Sequence, residues 1–132
     1  MKVRCIASTG DKLLLSTINN SGDSPETRYP LKVGEVYIVY GQHIYKSVLS
    51  YLLIGTYENL PSWYPAELFE VVDSMLPMEW YYQYDAKSVL SAIWGYNELV
   101  LTGNHYDDLI EREDKAIRTF LKRKKEIDEY CE

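Results

Sequence analysis

Between Lys2 and Asp73, apolar and polar residues alternate in runs of a few residues, and Gly, Pro, Asn or Asp interrupts nearly every run. That pattern has a period of two, so it predicts short strands that each bury one face. In "KVRCIAS", Lys2 to Ser8, the residues Val3, Cys5 and Ala7 share one face, opposite Lys2, Arg4, Ile6 and Ser8. "TGDK" turns through Gly10 and Asp11, and "LLLST" follows as a second strand, so the chain is expected to open with a hairpin. "INNSGDSPETRYP", Ile18 to Pro30, reads as a long loop, either for recognition or disordered. After a turn at Lys32-Val33-Gly34, Val36, Ile38 and Tyr40 alternate with Tyr37, Val39 and Gly41.

"SYLLIGTYENLPSWYPAELFEVVD" then gives strand, turn, strand, one helical turn and strand. Leu52, Ile54 and Thr56 oppose Tyr51, Leu53 and Gly55, and "ENLP" makes the turn. Pro65 has no backbone N–H to donate, which places it at a strand end or edge. "AELF" suits a single 3₁₀ turn, and the β-branched Val71 and Val72 resume a strand. Short strands, a long early loop and one helical turn before the last strand make this region resemble the SH3-like barrel. "LKVGEVYIVY" is similar to that fold's second strand, and "WYPAELFEVVD" to its Pro-containing 3₁₀ turn and closing strand. The resemblance covers about residues 1–73 and implies a closed barrel of about five strands. The chain has no "ALYDY"-like stretch, no acidic specificity loop and no paired tryptophans, so the resemblance does not extend to polyproline binding.

Composition shifts after Asp73. "SMLPMEWYYQYD" sets Trp80, Tyr81, Tyr82 and Tyr84 behind Pro77 as an aromatic linker. Residues 86–94 fit either a helix or a strand, and "YNELVL" fits a short helix ending at Gly103. Asn104 is an N-cap candidate for a last helix. Leu109, Ile110, Ala116, Ile117, Phe120, Leu121 and Ile127 form its apolar stripe, with a bend expected near Glu113 and Asp114. Acids early in this segment and bases later suit the helix macrodipole. The overall expectation is α+β: an SH3-like barrel over 1–73, and over 74–132 an aromatic linker and helices that fold back on it as one unit.

Sequence motifs for catalysis are sparse. His43 sits at a hairpin tip and His105 at a helix start, and neither has a second histidine at metal-ligand spacing. No serine lies in a nucleophile-elbow motif, and Gly34, Gly41 and Gly55 are isolated rather than gathered in a phosphate loop. Cys5 and Cys131 stand near opposite ends, match no zinc or redox spacing, and read as free thiols. The expectation is a protein without cofactor or metal that is not an enzyme.

The net charge of -6 disfavours nucleic acid and anionic membrane as partners and favours a basic protein. No apolar run approaches the ~20 residues of a membrane span, and no signal peptide is legible, which gives a cytoplasmic expectation. The chain has 13 tyrosines against 2 phenylalanines, a usage suited to surfaces that are buried part of the time. Small size, acidity and lack of motifs resemble, in profile, bacterial toxin-immunity proteins. That profile implies a non-catalytic inhibitor of a basic toxin such as a nuclease. Candidate contact residues are the aromatics Tyr40, Trp63, Tyr64, Trp80 and Tyr82 and the acids Asp107, Asp108 and Glu111. The alternative is a reader of a peptide or small ligand, with Tyr40, Trp63 and Tyr64 as an aromatic cage.

Overall fold

A computed structural model describes residues 1–131. The architecture is α+β, with two antiparallel sheets and a helical layer. One sheet has three strands, β2 (Val36–Ile38), β1 (Lys2–Cys5) and β6 (Phe69–Asp73), in that spatial order. The other has five, in the order β5 (Ser62–Pro65), β4 (Val48–Leu53), β3 (Gly41–Tyr45), β8 (Leu90–Gly95) and β7 (Tyr81–Tyr84). The helices are α1 (Leu15–Ser21), α2 (Asn97–Leu101), α3 (His105–Ile110) and α4 (Asp114–Tyr130).

The two sheets do not close into a barrel, and the expected SH3-like barrel is thereby corrected. The reason lies at two places where the chain changes sheet. Tyr37 and Val39 face a first core while Ile38 and Tyr40, alternating with them, face a second, and between Ile38 and Gly41 the chain leaves its pairing with β1 and continues as β3 of the other sheet. The 3₁₀ turn Ala66–Leu68, where the sequence placed it, returns the chain from β5 to β6. Strands β8 and β7 then extend the larger sheet sideways, so it stays open instead of curling onto itself.

Strand β4 is the centre of the molecule. Tyr51 and Leu53 on one face meet Val3, Tyr37 and Phe69 of the small sheet. Leu52 on the other face meets Tyr40, Leu99, Leu109 and Phe120 under the helices. The near-continuous apolar run of β4 follows from burial on both faces. Gly41 and Gly95 are paired across β3 and β8, and a Cβ on either would approach Leu99 Cδ2 to 2.6 Å. Their bare backbones therefore let α2 seat directly on the sheet. Arg123 of α4 donates from Nε and Nη2 to both carboxylate oxygens of Glu98, at 2.8 and 2.9 Å, tying α4 to α2.

Three further expectations change. "LLLST" is not a strand paired with residues 2–8. Leu13 is buried, and α1 begins at Leu15 and runs into the expected loop as far as Ser21. Its first turn is capped from a distance: Glu67 accepts from the Leu14 N–H at 2.7 Å and from the Thr17 hydroxyl. Residues 74–132 are not only a linker and helices, because the ambiguous segment 86–94 enters strand β8, and β7 precedes it. The last helix is broken where a bend was expected, with α3 ending at Ile110 and α4 starting at Asp114. Of its stripe, Leu109, Ala116, Phe120 and Ile127 are buried, whereas Ile110 and Leu121 are exposed. Among the described residues no helix is long and apolar enough to cross a membrane.

Candidate functional site

The thirteen tyrosines divide into separate roles. Tyr40 and Tyr64, expected as contact residues, are buried. The Tyr40 hydroxyl donates to Asp128 Oδ1 at 2.7 Å, and Tyr64 donates to Glu58. Burial and the neighbouring carboxylate push both phenols well above their usual range. Trp80 and Tyr82 lie at or near the surface in one group and Trp63 and Asp107 in another, while Asp108 and Glu111 belong to neither.

The first group lies along β7. All four of its residues, Tyr81, Tyr82, Gln83 and Tyr84, are exposed, and β7 is one of the two edge strands of the five-stranded sheet, the other being β5. Tyr82 is 53 % and Tyr84 65 % exposed, and the Tyr82 ring leans on Trp94 of β8 with centroids 5.0 Å apart. Among the residues that precede it, Val71 and Val72 of β6 and Met75, Leu76 and Met78 of the connection are exposed as well. From Val71 to Tyr84 the only charged residues are Asp73 and Glu79, both acidic. The backbone direction can be read from the hairpin. The Asp85 N–H donates to the Ser91 carbonyl at 2.8 Å, in register with the β7–β8 ladder. Alternate residues of an antiparallel strand face the same neighbour, so Gln83 and Tyr81 bond inward and the N–H and C=O of Tyr82 and Tyr84 point outward. Beside this strand, Pro77, Met78, Trp80 and Tyr81 form one wall of a concavity of about 520 Å³, and Arg123 and Tyr130 of α4 form the other. The Trp80 indole N–H is buried with no hydrogen-bond partner among the described residues.

The second group lines a cleft of about 390 Å³ between the β3–β4 hairpin and α3. His43 lies on its floor, 5 % exposed, stacked on Trp63 with ring centroids 3.8 Å apart and planes at 17°. His43 Nδ1 and the Tyr106 hydroxyl share a hydrogen bond of 2.9 Å. Burial lowers the His43 pKa to about 3, so the imidazole is neutral at physiological pH. Burial also raises the Tyr106 phenol. Asp107 from the first turn of α3 and Asp23 from the segment after α1 bring carboxylates to the cleft, and Lys46 brings one cation. Asp108 is half-buried beside Asp107, and Glu111 stands exposed at the C-terminal end of α3, so neither joins Asp107 in the cleft.

Sequence reading selected Trp63 and Asp107 but not their meeting, and it missed His43 and Tyr106 as a pair. They are 63 residues apart, and only the packing of α3 on the sheet joins them. The signal for the exposed group was present in the sequence: three tyrosines and a glutamine in one strand, with no aliphatic residue to bury.

Both histidines are engaged with tyrosine hydroxyls, His105 Nε2 with Tyr96 at 2.6 Å. Burial lowers the His105 pKa as well. Among the described residues, no three His, Cys, Asp or Glu side chains gather in a way that could hold a metal ion. The chain matches no protein-family model, no curated protein and no solved structure. With two open sheets and no family match, the resemblances to an SH3-like barrel and to toxin-immunity proteins are both withdrawn.

Proposed function

We propose that this is a non-catalytic binding protein whose partner is a basic protein that adds a strand to β7. The observation that carries the reading is the edge itself. Four consecutive exposed residues present outward N–H and C=O groups at Tyr82 and Tyr84, on a strand without lysine, proline or bulge. Proteins commonly blunt such edges, because an open edge is a template for another chain. Strand addition would satisfy these backbone groups, while the tyrosine rings and the neighbouring concavity would receive the partner's side chains. Asp73 and Glu79 beside an uncharged strand, in a chain of net charge -6, favour a cationic partner.

A binding role fits the state of the histidines better than acid–base catalysis does. A catalytic base works best with a pKa near the operating pH, and His43 lies far below it. We place the protein in the cytoplasm, where Cys5, buried in β1, and Cys131 would both stay thiols.

The test is affinity capture from the native host, using wild-type protein and Tyr84→Pro. Proline at this position removes an outward N–H and no ladder bond, so the variant should fold and lose the partner. The captured protein should be basic and should release as salt rises. Equal capture by both proteins, or capture only of further copies of this acidic chain, would contradict the reading.

A further inference from the structure

The cleft at His43 is built from different residues than the β7 edge, and its chemistry is of another kind. We propose that it is a binding site for a guanidinium group. This does not rest on the reading of β7.

Its walls are aromatic. Trp63 and Tyr106 lie with centroids 5.7 Å apart at 40°, and Tyr45 is 6.0 Å from His43 on the open side. Ring faces attract cations, and a planar guanidinium both stacks on a ring and donates in its own plane. The acceptors are in place on two separate elements. Asp107 makes no ion pair among the described residues, and Asp23 accepts only from the Tyr29 hydroxyl, at 2.8 Å. The neutral His43 puts no positive charge on the floor, so it does not oppose a cation.

The cleft already shows its preference within the chain. Lys46 Nζ lies 5.6 Å from the centre of the Tyr45 ring, a cation over an aromatic wall. Lys46 and Ser47 both have positive φ, 49° and 65°. A two-residue hairpin turn with this backbone favours Asn-Gly, and side-chain-bearing residues enter it reluctantly. The turn therefore carries a lysine at the mouth where backbone preference alone would select Asn or Gly. A guanidinium ligand would meet Lys46 as a competitor for the rings and Asp107 as an ally, and this gives the two residues opposite signs in an experiment.

The test is titration of the intact protein with N-acetyl-arginine methylamide and with its neutral citrulline counterpart, followed by NMR shifts of the Trp63 indole and the Tyr106 ring. The arginine probe should bind at least about tenfold tighter than the citrulline one. Asp107→Asn should weaken it about fivefold, and Lys46→Asn, which suits the turn, should tighten it. Both positions are exposed, and unchanged circular dichroism would confirm that the variants fold. A third arm uses free L-arginine. Tighter binding of the blocked probe assigns the group to a side chain within a polypeptide, and tighter binding of the free form assigns it to a small guanidino compound. Equal binding of arginine and citrulline probes, no shift at Trp63 up to about 10 mM, or weaker binding in Lys46→Asn would overturn the proposal.

Discussion

Strands β4 and β7 belong to one sheet, yet five of the six residues of β4 are buried and none of the four in β7 is. The difference tracks what covers each strand. β4 has the small sheet over one face and the helices over the other, so "VLSYLL" is nearly all core. β7 stands at the rim, with α2 alongside it but all four of its residues left exposed, and its tyrosines offer ring surface with a polar tip. Stability is concentrated around β4 and available contact surface around β7, so substitutions in the two regions should have separable effects.

The largest separation is expected at Phe120, 0 % exposed against the β4 side of the helical core. Phe120→Ala should cost about 3–5 kcal/mol, measured by denaturant unfolding. The next effect comes from pH. His43 in the folded chain has a pKa of about 3, against 6.5 as its ordinary value. The unfolded chain therefore takes up this proton first, and folding stability falls as pH drops from about 6.5 toward 3. Between pH 7 and pH 5 the loss should be about 2 kcal/mol, at roughly 1.4 kcal/mol per pKa unit. The shift at His105 has the same direction and adds to it. In His43→Gln the slope of stability against pH should flatten over that interval; an unchanged slope would remove His43 as its source.

Tyr40→Phe deletes the hydroxyl that donates to Asp128 and leaves the ring packed edge-on to Phe120. The cost should be about 1.5 kcal/mol, because the acceptor is charged. At the rim, Tyr82→Ala should lose only its contact with Trp94, about 0.2–1 kcal/mol. A loss at Tyr82 as large as that at Phe120 would erase the distinction between the two strands.

What the sequence disclosed follows the range of the interactions. The 3₁₀ turn at Ala66–Leu68, the strand at Phe69–Asp73 and the break before Asp114 are set by neighbours along the chain, and they were legible. Helix α1 was not, because its first turn is capped by Glu67, about fifty residues away, and "LLLST" alone reads as a strand. The sheet switch after Val39 was hidden for a similar reason. An alternating run sets Tyr37 and Tyr40 on opposite faces but does not reveal that each face is covered by a core of its own. At the candidate sites the residue types were legible and their grouping was not. Trp63 joins His43 and Tyr106, Trp80 joins the β7 surface, and Tyr40 and Tyr64 go to the interior.

The claim that β7 receives a partner strand is tested most directly by hydrogen exchange at the amides of Tyr82 and Tyr84. In the free protein these outward N–H groups should exchange fast, while the inward amides of Tyr81 and Gln83 are protected by β8. Adding the captured basic partner should slow Tyr82 and Tyr84 by at least about tenfold and leave Leu52 and Leu53 of β4 unchanged. Fast exchange at Tyr82 and Tyr84 in a saturated complex would contradict strand addition.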